Sequence, residues 1–320
     1  MAELRFDVTT FGEMMLRLSV PSGERLEGAR HLDLYPAGAE ANVVTLLSRL
    51  ERKTCWVGAL PRNPLGRIAS NALQLAGVDT GGICWKTTGR MGTYYVEFGE
   101  PPRGIQVTYD RAHSAATQLR IEEINWELLL DTRLLHLTGI TPALSPSCRE
   151  IIAEAIQRAH ARRVPVSFDI NYRQKLWTEA EAAETLLPLI RDVELLFCSR
   201  ADAARLFHLD GSLQQIAREL LALSGAERVV ITSGEGGALL GDGNEWQHEP
   251  ARPTRILDRL GAGDALAAGV ILGWLENDLA AGLRYGVTLA ALALSQSGDM
   301  VVTNKTELQA LSQQSSTLSR

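Results

Sequence analysis

Short apolar segments alternate with helical patterns from about residue 134 to the end of the chain. Strand candidates lie at 134–140 (LLHLTGI), 164–170 (VPVSFDI), 194–199 (ELLFCS) and 228–233 (RVVITS). After the first of these, Ser145 and Pro146 provide an N-cap and a first-turn proline for a helix with one apolar face. The alternation predicts βαβ units, and therefore an α/β fold with a doubly wound, mostly parallel sheet flanked by helices.

Two segments interrupt this pattern. Residues 13–36 mix an apolar run with Pro, Gly and alternating polar residues, and residues 83–110 hold two strand-like runs joined by a Pro-containing loop. The second segment predicts a β-hairpin, whose strands need a cover from the main domain or another subunit. We expect a small β-sheet lid from insertions 13–36 and 83–115, although an extension of the central sheet is the alternative. The α/β domain would then comprise 1–12, 37–82 and 116–312, followed by a frayed tail at 313–320.

Composition narrows the classes of protein. A net charge of −6 over 320 residues argues against a basic nucleic-acid-binding surface. No stretch reaches eighteen apolar residues and the first residues lack a signal-peptide pattern, so we expect no membrane association and a cytoplasmic location. The four cysteines are far apart in the sequence and form no CxxC pair, which favours reduced thiols. The histidines provide no HxxxH or HExxH pair for zinc.

A glycine-rich turn precedes a run without charges. Gly261, Ala262, Gly263 and Asp264 are followed by the apolar segment 265–275, which predicts a buried helix. Glycine permits positive φ angles, and the free N–H groups at a helix start attract anions. Asp264 could accept a proton from a hydroxyl that attacks phosphorus beside such an anion site. The alternative is an aspartate that only caps the helix.

A second element, Ala-Gly-Ala-Glu-Ala-Asn at 37–42, stands before another helical pattern. Gly38 lets a substrate approach the backbone, and Asn42 could hydrogen-bond a sugar hydroxyl. A loop glycine and a first-turn asparagine without further function are an equally good interpretation.

Polar residues also follow two of the predicted strands. Asn171, Arg173 and Lys175 come after the strand at 164–170, where they could meet a carboxylate or phosphate. The loop 232–237 (TSGEGG) follows the strand at 228–233 and could cradle a nucleotide, although it is not a P-loop. Solvated turns are the alternative for both segments.

The predicted hairpin carries Tyr94, Tyr109 and Arg111. An arginine with aromatic neighbours in a lid suits a small anionic ligand that must be shielded from water. Tyrosine is also a common strand residue, so the hairpin taken alone favours a structural role.

Taken together and in this order, these motifs resemble the ribokinase-like (PfkB) sugar kinases. The resemblance covers about residues 7–300, and within the family the chain is most similar to the 2-keto-3-deoxygluconate kinases. Its pointers are GAEAN, MGTYYVEFG, the Tyr109–Arg111 segment and NYRQKLW. The resemblance implies transfer of the ATP γ-phosphoryl group to a primary hydroxyl of a keto sugar acid. It also implies an Mg²⁺ ion held mostly through waters, and it makes a monovalent cation a candidate cofactor. We further expect a homodimer through the lid, or a higher oligomer.

The resemblance assigns roles by motif. Asp264 would be the base, and Gly261, Ala262 and Gly263 would form the anion hole. Substrate binding would fall to Gly38, Tyr94, Tyr109, Arg111, Arg173 and Asp299. The nucleotide would lie along Ser233, Gly234, Gly236 and Gly237.

This chain departs from the family pattern at two sites. Arg259 and Leu260 follow Asp258 where the family usually has a threonine next, which bears on the anion hole and a nearby monovalent-cation site. Ser199 and Asp202 stand where the family has an Asn-x-x-Glu that helps to place Mg²⁺ and phosphate, so Asp202 is the candidate for a water-mediated metal contact. Two alternatives remain open: a kinase for a neutral sugar such as fructose or ribose, and a ligand-binding protein of this fold without catalysis.

Overall fold

The computed structural model describes residues 4–99 and 102–313, in which two β-sheets are accompanied by α-helices. The strands are β1 Phe6–Phe11, β2 Met15–Ser19, β3 Asp33–Ala37, β4 Thr54–Pro61, β5 Asp79–Lys86, β6 Gly92–Glu97, β7 Gln106–Asp110, β8 Thr132–Thr138, β9 Val166–Asp169, β10 Leu195–Ser199, β11 Arg228–Thr232, β12 Ala238–Gly241 and β13 Trp246–Glu249. The helices are α1 Ala39–Arg49, α2 Pro64–Ala76, α3 Trp126–Leu130, α4 Pro146–Arg162, α5 Glu179–Leu189, α6 Arg200–Phe207, α7 Leu213–Ser224, α8 Ala262–Leu275, α9 Leu279–Leu294 and α10 Lys305–Gln313.

The larger sheet has nine strands in the order β13-β12-β11-β10-β9-β8-β1-β4-β5. All neighbours from β11 to β5 pair in parallel, and only β12 and β13 are antiparallel. Two large clusters of buried apolar side chains cover its two faces, so helices protect both sides. This confirms the predicted α/β class and the mostly parallel sheet.

Local signals place the helices that follow the strands. Ser145 caps α4 by accepting a hydrogen bond from the Cys148 N–H at 3.1 Å, and Pro146 is its first residue. The apolar face of α4 is buried as predicted, at Ile151, Ile152, Ala155, Ile156 and Ala159. Helix α8 is apolar on all sides and is buried along almost its whole length, as its charge-free sequence predicts.

The smaller sheet comes from the two segments that interrupt the alternation. Its order is β3-β2-β6-β7, and the antiparallel pair β6–β7 is the predicted hairpin. Strands β2 and β6 run parallel, so residues 13–36 and the hairpin form one separate sheet. Strand β5 continues in the larger sheet to Lys86. The frayed-tail prediction concerns mainly residues 314–320, which lie outside the described residues.

The four cysteines are free thiols, as predicted. Over residues 4–99 and 102–313, no helix combines the length and the hydropathy needed to span a bilayer. Because the strands β1, β4, β5 and β8 to β11 run parallel, the polar segments that follow them lie at one edge of the larger sheet.

Candidate active site

The first turn of α8 presents free backbone donors. Gly261 stands before the helix with φ +82°, and no side chain caps the helix start. A Cβ on Gly261 would lie 2.4 Å from the Asp299 carbonyl oxygen, so the close contact and the positive φ both require glycine here. Within the described ranges, the N–H groups of Ala262, Gly263 and Asp264 have no hydrogen-bond partner, which leaves an anion site at this turn.

Asp264 lies in this turn, and among the described residues its carboxylate accepts no capping hydrogen bond from the N–H groups of the turn. Its Oδ2 accepts a hydrogen bond from Asn42 Nδ2 at 2.7 Å, across 222 residues of sequence. Burial raises the pKa of Asp264 to about 8, Asp169 and Asp299 add to the rise, and Asn42 and Arg173 oppose it. The carboxyl group does not cap the helix start, and a group with this pKa can exchange a proton near neutral pH.

Asn42 connects Asp264 to the start of α1. Its Oδ1 accepts a hydrogen bond from the Gly38 N–H at 3.4 Å, while its amide nitrogen donates to Asp264. A Cβ on Gly38 would lie 2.4 Å from the Glu13 carbonyl oxygen, so only glycine fits between the two segments. The sequence predicts that Asn42 meets a sugar hydroxyl; in the structure its amide also holds Asp264 and this loop.

Arg111 is buried and paired with Glu13, which belongs to none of the motifs visible in the sequence. Its Nε donates to Glu13 Oε2 at 2.9 Å, and its Nη2 also contacts that oxygen. The Ser114 hydroxyl donates to the other carboxylate oxygen of Glu13. Nη1 of Arg111 has no partner in the described part of the chain, so one edge of the guanidinium remains available for a ligand.

The tyrosines of the hairpin lie next to this arginine. The rings of Tyr94 and Tyr109 are 5.7 Å apart, and the Arg111 guanidinium lies 5.7 Å from the Tyr109 ring centroid. Tyr94 is buried and donates its hydroxyl hydrogen to Asp299 Oδ2 at 2.7 Å. Burial and the adjacent Asp299 raise the Tyr94 pKa, which keeps this hydroxyl a donor. Lys175 donates to the Val107 carbonyl at 2.6 Å and therefore ties the hairpin to the segment after β9.

Arg173 lies at the carboxyl end of β9 with an exposed side chain. Its positive charge lowers the pKa of three nearby carboxyl groups, those of Asp169, Asp202 and Asp264, in each case against a larger opposite effect of burial. Burial raises the pKa of Asp169 to about 6. The predicted site residues Arg173, Asp202 and Asp264 thus share one electrostatic environment.

Ser199 and Asp202 begin α6. The Ser199 hydroxyl accepts a hydrogen bond from the Asp202 N–H at 3.0 Å, so Ser199 is an N-cap. The Asp202 carboxyl group is partly buried, and burial raises its pKa. Over the described ranges, no three His, Cys, Asp or Glu side chains converge to ligate an ion directly.

On the other side of the α8 turn is a cavity of about 510 Å³. Its apolar wall is formed by α8 and α9, through Leu266, Val287, Ala290, Ala291 and Leu294. The loop after β11 and the α8 turn close its polar end, through Thr232, Gly234, Glu235, Gly237, Ala262 and Gly263. Of the predicted nucleotide residues, Gly234 and Gly237 line the cavity; Ser233 and Gly236 belong to the same loop but are not among its lining residues.

Arg259 and Leu260, the residues before Gly261 that depart from the family pattern, have different surroundings. Leu260 donates its N–H to Asp258 Oδ1 at 3.0 Å, and its side chain packs against the smaller sheet. The Arg259 side chain lines the nucleotide-sized cavity and is exposed, without a partner among residues that the structure describes. The turn is therefore held through Asp258, and Arg259 adds a cation at the edge of the cavity.

Comparison with known proteins gives the class of this fold and site. The chain belongs to the pfkB family of carbohydrate kinases, whose model matches residues 5–307. This confirms the family resemblance and makes the protein a sugar kinase by family.

Similarity to individual proteins narrows the class. The chain is 37% identical over 304 residues to a 2-dehydro-3-deoxygalactonokinase of Haloferax volcanii, with 95% of each chain covered. It is 31% identical over 309 residues to a 2-dehydro-3-deoxygluconokinase of Bacillus subtilis, covering 93% of this chain and 92% of that protein. The crystal structure of the Thermotoga maritima 2-dehydro-3-deoxygluconokinase superposes with a TM-score of 0.91 at 31% identity, covering 96% and 98% of the two chains.

Proposed function

We propose that this protein phosphorylates the primary hydroxyl of a 2-keto-3-deoxy sugar acid, of gluconate or galactonate configuration, with ATP as donor. One observation carries the proposal: a buried carboxyl group, Asp264, lies in an uncapped helix turn beside a nucleotide-sized cavity and within the electrostatic reach of Arg173. The names of the relatives support the same substrate class.

The reaction follows from this arrangement. The sugar hydroxyl oxygen attacks the γ-phosphorus, the bond to the β–γ bridging oxygen breaks, and Asp264 takes the hydroxyl proton as ADP leaves. The free N–H groups of Ala262, Gly263 and Asp264, with the helix dipole of α8, stabilise the charge on the transferred group. Such a positioned base contributes about 10²–10⁴-fold.

ATP fits the cavity between the β11 loop and helices α8 and α9. A volume of about 510 Å³ with one apolar wall and one glycine-lined polar end suits an adenine base and a phosphate chain. The Arg259 guanidinium would meet the phosphates, because it lines the cavity beside Ala262 and Gly263. The loop residues Ser233 and Gly236 would also lie next to the nucleotide.

Mg²⁺ would be held beside the phosphates through waters, with Asp202 as the nearest candidate carboxylate. Mg²⁺ keeps several waters and needs few protein ligands in phosphoryl-transfer sites, which agrees with the lack of a direct ligand cluster in the described ranges. The ion would neutralise phosphate charge. Asp169 adds a second carboxyl group near Asp202, because the Asp202 charge contributes to the raised pKa of Asp169.

The sugar acid would lie under the smaller sheet. Arg173 and the free edge of Arg111 would face its carboxylate, while Tyr94, Tyr109, Gly38 and Asp299 would border the rest. In this proposal Asn42 positions Asp264 and does not bind sugar. The smaller sheet, with segments 13–36 and 87–115, would act as a lid that excludes water and limits ATP hydrolysis. The predicted lid insertion began at residue 83, but residues 83–86 pair with β4 in the larger sheet.

The assembly and location remain proposals. The outer strand β7 of the smaller sheet is largely exposed, and the other outer strand, β3, is exposed at Asp33 and Leu34, which supports pairing of lids in a homodimer. Size-exclusion chromatography with light scattering would test this: a monomer for the full-length chain, with activity intact, contradicts it. We expect a cytoplasmic enzyme without nucleic-acid partners.

The substrate is tested by coupled ADP release with Mg-ATP on a panel. The panel contains 2-keto-3-deoxygluconate, its galactonate epimer, fructose, ribose and a blank without sugar. We expect turnover on one or both keto-deoxy acids, and a rise in KM of at least about tenfold for them when Arg173 becomes Ala, because a charge-assisted contact of about 1.5–3 kcal/mol is lost. Turnover on fructose or ribose alone would replace the acid by a neutral sugar. ATP binding without turnover on any sugar would favour a protein that kept the fold without catalysis.

A further inference from the structure

Arg17 is a buried guanidinium beside the anion-binding turn, with no role in the chemistry above. It lies in the middle of β2, and its side chain is 1% exposed. Nη2 pairs with Asp258 Oδ2 at 2.6 Å, and Nη1 pairs with Asp299 Oδ1 at 2.8 Å. Nε donates to the Ser19 hydroxyl at 2.7 Å. All three nitrogens of the guanidinium therefore have an acceptor within the described residues.

Aromatic rings cover the faces of this guanidinium. The Tyr35 ring centroid lies 5.3 Å from Cζ of Arg17, and the Phe98 ring centroid lies 5.1 Å from it. Both rings belong to the smaller sheet or the segment directly after it. The smaller sheet thus fixes the plane of Arg17, and the planar fork in turn fixes where two carboxylates can lie.

Those two carboxylates hold the backbone around the start of α8. Asp258 accepts hydrogen bonds from the N–H groups of Leu260, at 3.0 Å, and Gly298, at 3.1 Å. The Gly261 position packs directly on the Asp299 carbonyl. Asp258 and Asp299 therefore hold the turn, and among the described residues only Arg17 joins their side chains.

A buried pair of like charges needs a cation to remain together. Without Arg17, Asp258 and Asp299 would repel each other in a medium that screens charge poorly. The turn between them would then relax, and its N–H groups would lose their aim at the transferred phosphoryl group.

We propose that Arg17 is a positioning residue: a fixed internal cation that holds the anion-binding turn in place and couples it to the smaller sheet. A guanidinium keeps its charge throughout the working pH range, so Asp258 and Asp299 need no monovalent metal ion. The inference rests on the proposed phosphoryl transfer for its kinetic consequence, but its structural consequence does not depend on the sugar.

The kinetic test compares Arg17→Ala with the wild type and with Arg25→Gln. Arg25 pairs with Glu97 on the same small sheet but is 46% exposed and lies away from the turn, so its loss is the matched control. We expect Arg17→Ala to lower kcat about 100-fold with both KM values within about threefold, because misplacement by about 1 Å costs that much in rate. Arg25→Gln should stay within about twofold of wild type.

Chemical rescue distinguishes positioning from general structural damage. Guanidinium chloride at millimolar concentration should restore kcat of Arg17→Ala about tenfold, whereas tetramethylammonium chloride should not, because only guanidinium donates to both carboxylates. Loss of kcat without rescue in a variant that melts like the wild type would overturn the proposal. So would a kcat within about threefold of wild type.

Two measurements keep the test valid if Arg17→Ala does not fold or if the sugar is wrongly assigned. Wild-type turnover should be equal within about twofold in potassium and tetramethylammonium buffers; strong activation by potassium would mean that a solvent ion, and not Arg17, supplies the charge. Calorimetry without any sugar compares the affinity for ADP with the affinity for a non-hydrolysable ATP analogue, in Arg17→Lys as well as in Arg17→Ala. The difference between the two affinities reports on the anion-binding turn. We expect the preference for the analogue to fall about tenfold in both, and an unchanged preference contradicts the proposal.

Discussion

The two sides of Asp264 are built in different ways. The nucleotide side is a cavity walled by small apolar side chains and glycines, with Arg259 at its edge. The sugar side is a network of buried charges, in which Arg111 pairs with Glu13 and Asn42 holds Asp264. In the proposed complex, a nucleotide would be received by shape and backbone, whereas the sugar acid would meet side chains fixed by partners far away in the sequence.

This difference has a consequence for specificity. Backbone and methyl groups tolerate change, because no single contact carries much free energy. A buried charge network does not, since losing one partner leaves the other charge unpaired in a poorly screened environment. Substitutions on the sugar side should therefore change turnover and sugar KM, and those on the nucleotide side should change only ATP KM.

The largest effect is expected at the residue between the two sides. Asp264→Asn keeps the shape and can still accept the Asn42 hydrogen bond, but it cannot take a proton. We expect kcat to fall about 10³–10⁴-fold, with both KM values within about threefold, in steady-state ADP release.

Asp278→Asn is the control for this substitution. Asp278 caps α9 by accepting a hydrogen bond from the Ala281 N–H, and asparagine caps equally well. Its kcat should equal that of the wild type. A loss below about tenfold in Asp264→Asn would show that another group takes the proton and would remove the distinction between the two sides.

The next effect concerns Glu13 on the sugar side. Glu13→Gln removes the charge that orients Arg111 and keeps the side-chain size. We expect sugar-acid KM to rise about 30-fold or more, from about 2 kcal/mol or more for breaking a buried charged contact, and ATP KM to stay unchanged. Separate titrations of sugar and ATP give both values.

Glu127→Gln provides the comparison, because Glu127 is 82% exposed and pairs with the half-exposed Arg162. A surface pair contributes little, so both KM values should change less than about twofold. If Glu13→Gln raised the two KM values equally, the charge network would serve the whole fold and not the sugar side alone.

A smaller effect is expected on the nucleotide side. Ala291→Leu adds volume to the apolar wall of the cavity. ATP KM should rise about tenfold through steric overlap, and sugar KM should not change. Ala280→Leu on the same helix does not face the cavity and should leave both constants alone. An increase in sugar KM for Ala291→Leu would mean that the two sides are coupled.

The sequence predicts the fold and the position of Asp264 because both depend on local pattern. Alternating strands and helices, the Ser145 cap and the charge-free α8 are each read within a dozen residues. The edge strands β12 and β13 and the early strands β1 and β4 have no such clear rhythm, and the structure supplies them.

The charge network could not be predicted in the same way. Arg17 lies in an alternating apolar segment whose pattern does not reveal burial, and its partner Asp299 is 282 residues away. Glu13 and Arg111 are 98 residues apart. Only the tertiary fold brings such groups together, so a single sequence names Arg111 as a ligand candidate but not the carboxylate that holds it.

The smallest effect is on stability, and it tests the environment of Asp264 directly. The folded pKa of about 8 lies above the usual value of 3.8, so the folded state binds a proton that the unfolded state has lost between these values. The wild type should therefore lose stability as pH rises from about 4 to 8, whereas Asp264→Asn has no such group to ionise. In thermal melts, the Tm of Asp264→Asn minus the Tm of the wild type should increase by about 2–6 °C between pH 5 and pH 8. This range corresponds to a change of about 1–3 kcal/mol in the difference between their free energies of unfolding. Asp278→Asn, which caps a helix near the surface, should keep a constant Tm difference over this range. A constant difference for Asp264→Asn as well would mean that its carboxyl group is already ionised in the free enzyme, and the acid limb of kcat/KM should then lie well below pH 8.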